Sequence, residues 1–312
     1  LLFPWLTHQA PQVRRRTAVL LGEIGDEAGI PPLTAVLATE KEPAVRQAVE
    51  NGLLALENAP PPPLTVQLLG AFRLRRGETW IAEDAWHRPI VQRLFQFFAL
   101  HAGQSVSKDQ ILEALWPDSD PAKAWGTFRT VYSRLRKLLE PARRRKTANR
   151  YIEQSGETFR LKADLVALDM TKFERVVTAV LQNHQPESVP PLPKPLLDCL
   201  ENYAPLLPEL PYADWLLEPR QKLADLYIEG CFYTAQAFLA RADLAQAVVW
   251  GRRTVAAAPW LEEAYQLLMR SYARQGQRTL ALKMYDEAVA SLQAELNLPP
   301  SAQTEQVAAR WP

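Results

Sequence analysis

Hydrophobic residues follow two rhythms along this chain. In residues 1–58, small and aliphatic positions recur at helical spacing: Ala18, Leu21, Leu33, Val36, Leu37, Val45, Ala48, Val49 and Leu53. Val13-Arg14-Arg15-Arg16 returns as Val45-Arg46-Gln47-Ala48, 32 residues later, so the segment is predicted as paired helices. Ala59-Pro60-Pro61-Pro62-Pro63 stops that pattern. A proline run cannot continue a helix and favours an extended chain, so it is predicted as a linker. From residue 64 the period changes to two. Leu64, Val66 and Leu68 alternate with polar residues, and Phe72 and Leu74 alternate with arginines. Gly77 supplies a turn before Thr79-Trp80-Ile81.

Three helical stretches follow. The first covers about 89–101 and ends at Gly103. The second, about 108–115, starts after Ser107, an N-cap residue with Gln110 at the third helical position, and stops at Trp116-Pro117. The third runs from Pro121 to Leu139. Tyr151-Ile152-Glu153 and Thr158-Phe159-Arg160-Leu161, joined through Ser155-Gly156, read as a closing hairpin. Strands, three helices and a terminal hairpin form a winged-helix pattern over 64–163. Residues 164–312 are predicted helical, interrupted by a proline-rich loop at 186–195. A 34-residue period maps Ala242, Ala247 and Val255 onto Gly276, Ala281 and Val289, and Pro259 and Pro299 close helices. That period is the tetratricopeptide one. The predicted fold class is therefore mainly α with a small α+β part: a winged helix-turn-helix between a helical stub (1–58) and a tetratricopeptide-like α-helical domain.

Charge sharpens this picture. Residues 64–163 hold 18 of the 36 Lys and Arg against 10 Asp and Glu, a net +8, while 1–63 carry −2 and 164–312 carry −5. The middle third has the footprint of a polyanion binder between mildly acidic modules. On a helical wheel of 121–139, Phe128, Val131, Tyr132, Leu135, Leu138 and Leu139 share the core face. The opposite face carries Gly126, Thr130, Ser133 and Lys137, flanked by Arg129, Arg134 and Arg136. From 129 to 150 there are nine basic residues, Arg143–Lys146 and Arg150 among them, against the single Glu140. An α-helix fits the major groove of B-DNA, where arginine bonds guanine O6 and N7 bidentately; Ser and Thr contact bases or phosphate, and flanking Lys and Arg neutralise phosphates.

Enzyme chemistry finds no foothold. The chain lacks GxxxxGK[ST], HExxH and Gly-x-Ser-x-Gly, so no cofactor and no catalytic role is expected. His8, His87, His101 and His184 have no metal-ligand spacing. Cys199 and Cys231 form no CxxC pair and are expected to be buried thiols in a reducing, cytoplasmic setting. No apolar run reaches the ~18–20 residues of a membrane span, so no membrane partner is expected.

Several stretches resemble known families. Residues 1–58 resemble short HEAT repeats; so few repeats rarely fold alone, so a cap on a longer array is expected. The chain opens on Leu1, which points to a piece of a larger protein. Leu-Leu-Gly-Ala-Phe-Arg-Leu (68–74), Leu100-His101-Ala102-Gly103, Val106-Ser107-Lys108-Asp109, Leu115-Trp116-Pro117 and Val131–Leu139 resemble the OmpR/PhoB-type winged helix of SARP-type (antibiotic regulatory) activators. Asp169, Phe173-Glu174, Trp215-Leu216, Glu263–Met269 and Glu295-Leu296 resemble the bacterial transcriptional activator domain that follows it in that family. The resemblance implies a sequence-specific DNA-binding regulator, an activator, whose third helix enters the major groove of double-stranded DNA through Thr127, Arg129, Thr130, Ser133, Arg134, Arg136 and Lys137. It further implies wing contacts at Arg150, Tyr151 and Arg160, and an RNA polymerase contact at Pro117, Asp118, Ser119 and Asp120. It implies a homodimer on direct repeats. Trp125 and Gly126 depart from the family, which commonly has Arg and Asn there. The competing expectation is a protein-interaction scaffold whose winged helix binds no DNA specifically.

Overall fold

The computed structural model describes residues 2–141, 149–183 and 190–310. The Arg143–Lys146 run, His184 and the start of the proline-rich loop lie outside the described residues. Contacts gather the chain into two compact units: Leu1–Val66 with Arg73–Ala167, and Gln67–Phe72 with Leu168–Pro312.

The first unit begins with helices α1 (Pro11–Ile24), α2 (Ile30–Thr39) and α3 (Pro43–Asn58). Proline in the first turn of each presets the helical φ where no intrahelical N–H bond is lost. Ala18, Leu21, Leu33, Val45, Ala48, Val49 and Leu53 form the core between them, as the periodicity predicts, and Val36 and Leu37 pack at its edge. Arg14 ties α1 to the end of α2 through a two-pronged bond to Glu40, at 2.8 and 3.0 Å, and that bond holds the Glu40 carboxyl down at about 2. The closest approach is between α1 and α3. A Cβ added at Gly52 meets the Ala18 carbonyl oxygen at 2.8 Å. A backbone atom cannot rotate away, so Gly52→Ala is expected to cost ~1–3 kcal/mol by overpacking. That outweighs the ~1 kcal/mol alanine gains in a helix interior, and a denaturant melt should show a lowered midpoint.

Strands β1 (Leu64–Gln67), β2 (Arg73–Arg76) and β3 (Thr79–Trp80) come next. They are followed by α4 (Pro89–Leu100), β4 (Val106–Ser107), α5 (Lys108–Leu115), α6 (Pro121–Leu139), β5 (Ile152–Ser155), β6 (Thr158–Leu161) and β7 (Val166–Leu168). One sheet has the order β3-β2-β1-β7 and the other β4-β6-β5. In the second, Ile152 pairs with Leu161 and Ser155 with Thr158, so the hairpin turns at Gly156. The Ser107–Gln110 capping box is complete: the Ser107 hydroxyl accepts from the Gln110 N–H, and the Gln110 side chain accepts from the Ser107 N–H at 2.8 Å. Phe95, Phe98, Phe128, Leu135 and Phe159 fill the core of this part.

The proline linker is less detached than its composition predicts. The Pro62 carbonyl accepts from the Tyr151 hydroxyl at 2.6 Å, and the Pro63 carbonyl from the Gly77 N–H at 2.8 Å. Proline gives up its donor but keeps its acceptor, and here the acceptors dock on the winged helix.

The second unit holds α7 (Asp169–Gln182), α8 (Lys194–Glu201), α9 (Leu217–Ala240), α10 (Leu244–Ala257), α11 (Glu262–Arg274), α12 (Arg278–Leu296) and α13 (Ala302–Ala309). The 34-residue period falls on matching places. Ala242 and Gly276 both have positive φ, 60° and 76°, in the turns that join α9 to α10 and α11 to α12. Ala247 and Ala281 are both buried. The Asp169 carboxylate opens α7 by accepting from the N–H groups of Leu68, Leu69 and Met170 at 2.8–3.0 Å, which brings the 67–72 segment into this unit. Burial pushes the Asp169 carboxyl up. Cys231 is buried, which drives its thiol up to about 11, and Cys199 is half-buried rather than fully enclosed.

Candidate nucleic-acid interface

Helix α6 is set by its start. The Asp120 carboxylate accepts from the Ala122 and Lys123 N–H groups, both at 3.1 Å, and Pro121 occupies the first turn. Asp120 thus acts as the N-cap, and Pro117, Asp118 and Ser119 form the exposed turn before it. One face of α6 buries Ala124, Phe128, Val131, Tyr132, Leu135 and Leu139; Leu138 is only half-buried.

The other face is open. Gly126, Arg129, Thr130, Ser133, Arg134 and Lys137 line one shallow groove, and no acidic residue lies on the helix. Thr127 is exposed beside it, with its hydroxyl donating to the Lys123 carbonyl at 3.1 Å. The Thr130 hydroxyl donates to the Gly126 carbonyl at 3.4 Å, a long bond that another acceptor can displace. Arg136 sits apart from the groove: it is half-buried, with its guanidinium 5.5 Å from the Tyr132 ring centroid. A Cβ added at Gly126 touches nothing within 4 Å. Gly126→Ala is therefore expected to stabilise the fold by ~0.5–1 kcal/mol, read as a raised thermal midpoint.

Trp125 has a part that the charge pattern did not announce. Its ring stacks on Phe128, centroids 4.9 Å apart and 9° from parallel, and lies 6.5 Å from Phe159 of the hairpin. The Lys108 ammonium lies 5.4 Å from its centroid and 2.8 Å from the Glu157 carboxylate. That Glu157 bond raises the Lys108 pKa. The Lys108 N–H also donates to the Glu157 carbonyl at 2.8 Å. So Trp125 packs α6 against Phe159 of the hairpin and lies beside Lys108, which in turn holds Glu157 at the hairpin turn. The helical spacing of Trp125, Phe128 and Tyr132 was the sequence signal for it.

The wing residues divide. Arg160 is exposed on β6, 3.5 Å from Glu153. Arg150 instead spends its guanidinium inside the unit. Nε lies 2.9 Å from Glu140 Oε1, Nη2 lies 2.8 Å from Glu27 Oε2, and Nη1 donates to the Ala59 carbonyl at 3.3 Å. Tyr151 is fully buried, its hydroxyl on Pro62, and burial raises its pKa. Sequence reasoning missed Glu27, Ala59 and Pro62 as partners because they come from the first 62 residues, outside the winged-helix pattern.

Among the described residues no cluster of His, Cys, Asp and Glu is placed to hold a metal, and no helix is long and apolar enough to cross a membrane. The chain matches three family descriptions in order: HEAT repeats over residues 1–74, "Transcriptional regulatory protein, C terminal" over 87–156, and bacterial transcriptional activator domain over 168–310. It is 26% identical over 249 residues to the regulatory protein AfsR of Streptomyces griseus, covering 76% of this chain and 23% of that one. It is 26% identical over 246 residues to AfsR of Streptomyces coelicolor, covering 75% and 22%. The chain thus spans less than a quarter of the length of these relatives. Mycobacterium tuberculosis EmbR, solved in complex with a low affinity phosphopeptide, shares the fold at a TM-score of 0.64 and 18% identity, over 80% of this chain and 65% of that one. An OmpR/PhoB-type winged helix followed by the bacterial transcriptional activator domain, with HEAT repeats before them, is the order seen here, and in that order of modules the chain is similar to the SARP-type transcriptional regulators.

Proposed function

We propose that the chain is a sequence-specific DNA-binding activator that reads the major groove with α6. Its modules are HEAT repeats at 1–58, the winged helix at 64–163 and a regulatory helical domain at 164–312. The observation that carries this is the acid-free exposed groove of Gly126, Arg129, Thr130, Ser133, Arg134 and Lys137. Its lining residues all lie on α6, and its donors suit guanine edges and phosphates together. Thr127 and Arg136 flank it and Arg160 takes phosphate from the wing. Arg150 and Tyr151 act from within, holding the wing root. The exposed turn Pro117–Asp120 meets RNA polymerase, and two copies bind side by side on a direct repeat.

Selection of bound DNA from a random pool tests this. The expected result is a repeated motif bound ~10³-fold or more tighter than unrelated duplex near physiological salt. If no motif emerges and every duplex binds more weakly than ~10⁻⁶ M, the reading fails. On the selected site, Gly126→Ala should bind more weakly than the native chain despite its higher thermal midpoint, because the added methyl projects into the groove.

A further inference from the structure

Four charged side chains meet where the HEAT repeats adjoin the winged helix, all inside the first unit. Glu27 Oε1 is ion-paired with Arg76 and Glu27 Oε2 with Arg150, and Arg150 continues to Glu140. Their side chains are 13%, 13%, 17% and 0% exposed in the order Glu27, Arg76, Arg150, Glu140. Among the described residues, two carboxylates here face two guanidiniums. Such a network adds little stability over an apolar contact, since the attraction is spent on desolvation; its best-attested use is to fix register.

The register fixed here is specific. Glu27 begins the 3-10 turn Glu27–Gly29 that connects α1 to α2, held between Gly25 at φ 75° and the Asp26 carboxylate on the Ala28 N–H. Glu140 is the residue at which α6 ends. Arg150 lies two residues before β5, the first strand of the wing. One guanidinium therefore joins the connector of the HEAT helices to the end of the DNA-reading helix and the root of the wing.

We propose that this network is a latch through which the HEAT repeats regulate DNA engagement. A change in the angle between α1 and α2 moves Glu27, and Glu27 carries Arg150 and the wing root with it. The proposal rests on the reading of α6 as the DNA-reading helix. The latch holds the wing root in place for DNA, and thermodynamic reciprocity gives it a direct consequence: if the ordered HEAT connector favours DNA binding, DNA binding must stabilise the connector by the same factor.

The test is amide hydrogen exchange of the whole chain, free and bound to the selected DNA, in the native protein and in Glu27→Gln. Glutamine keeps the shape and loses the charge. The Gly29 N–H, bonded to the Asp26 carbonyl at 2.9 Å, reports on the connector. In the native chain DNA should slow exchange at Gly29 by about fivefold or more, the low end of ordinary coupling between sites. In Glu27→Gln, DNA should still bind and still slow exchange along α6, while the slowing at Gly29 disappears. Should Glu27→Gln fail to fold, Glu27→Asp gives the same readout, because aspartate keeps the charge and is one methylene too short to hold Arg150 at 2.8 Å. Equal slowing at Gly29 in native and variant chains overturns the latch, as does its absence in a native chain that binds DNA. A native chain that binds no duplex sinks the α6 reading and the latch with it.

Discussion

Arg134→Ala is expected to weaken binding to the selected DNA by ~1–3 kcal/mol, about 5- to 150-fold, and to relax the base preference at one position of each half-site. The side chain is exposed, lies on the groove and projects from the face opposite the core. Nothing in the fold depends on it, so the loss should appear in affinity and not in the melting temperature. Lys137→Ala should behave differently. An ammonium is a point charge without the planar fork, so its loss should weaken binding to all sequences alike and flatten the salt dependence by about one unit of log K against log[salt]. Thr130→Ala should chiefly shift sequence preference. Fluorescence anisotropy titrations at two salt concentrations, with the selected site and a scrambled one, separate the three. If all three variants bind like the native chain on both duplexes, α6 is not the reading helix.

The groove was legible because two independent signals agreed. The helical wheel put Phe128, Val131, Tyr132 and Leu135 inward, and the absence of acids from Pro121 to Leu139 marked the outward face. Helix starts were legible for a local reason as well: Ser107–Gln110 and Asp120-Pro121 satisfy their own caps within a few residues. Arg150 shows where that reasoning ends. Its position before the hairpin matches a wing contact, yet its partner Glu27 stands 123 residues away in another family's repeat. No periodicity reports such a pairing. The 67–72 segment is a similar case. Its alternation reads as part of the winged helix, but the Asp169 carboxylate takes up the N–H groups of Leu68 and Leu69 from 100 residues downstream. In both places a half-buried carboxylate joins segments that lie about 100 residues or more apart. Trp125 lies between these extremes: its spacing to Phe128 and Tyr132 was visible, but its contact with Lys108 and the wing required the fold.

Phe128→Ala is expected to have the largest effect on stability, ~3–5 kcal/mol. Phe128 is fully buried and stands at the centre of an aromatic cluster, stacked between Trp125 at 4.9 Å and Tyr132 at 5.5 Å, with Phe159 of the wing edge-on at 5.0 Å. Its removal leaves a cavity between three rings that each keep another neighbour: Trp125 lies beside Lys108, Tyr132 meets Phe98 edge-on, and Phe159 meets Tyr132 edge-on. The substitution therefore separates two properties that a mutation on the groove cannot. It leaves every groove side chain in place while loosening the wing, which meets α6 through Phe159 and Trp125. Denaturant unfolding should show the lowered midpoint, and hydrogen exchange should rise along β5, β6 and α6 while α10 to α12, in the other unit, keep their protection. At temperatures where the variant is still folded, non-specific DNA binding should persist, since the groove cations remain, and discrimination between sites should fall, since base readout needs the helix held in one orientation by the wing. A variant that melts like the native chain, or that loses specific and non-specific binding in equal measure, would show that the aromatic cluster does not set the position of α6.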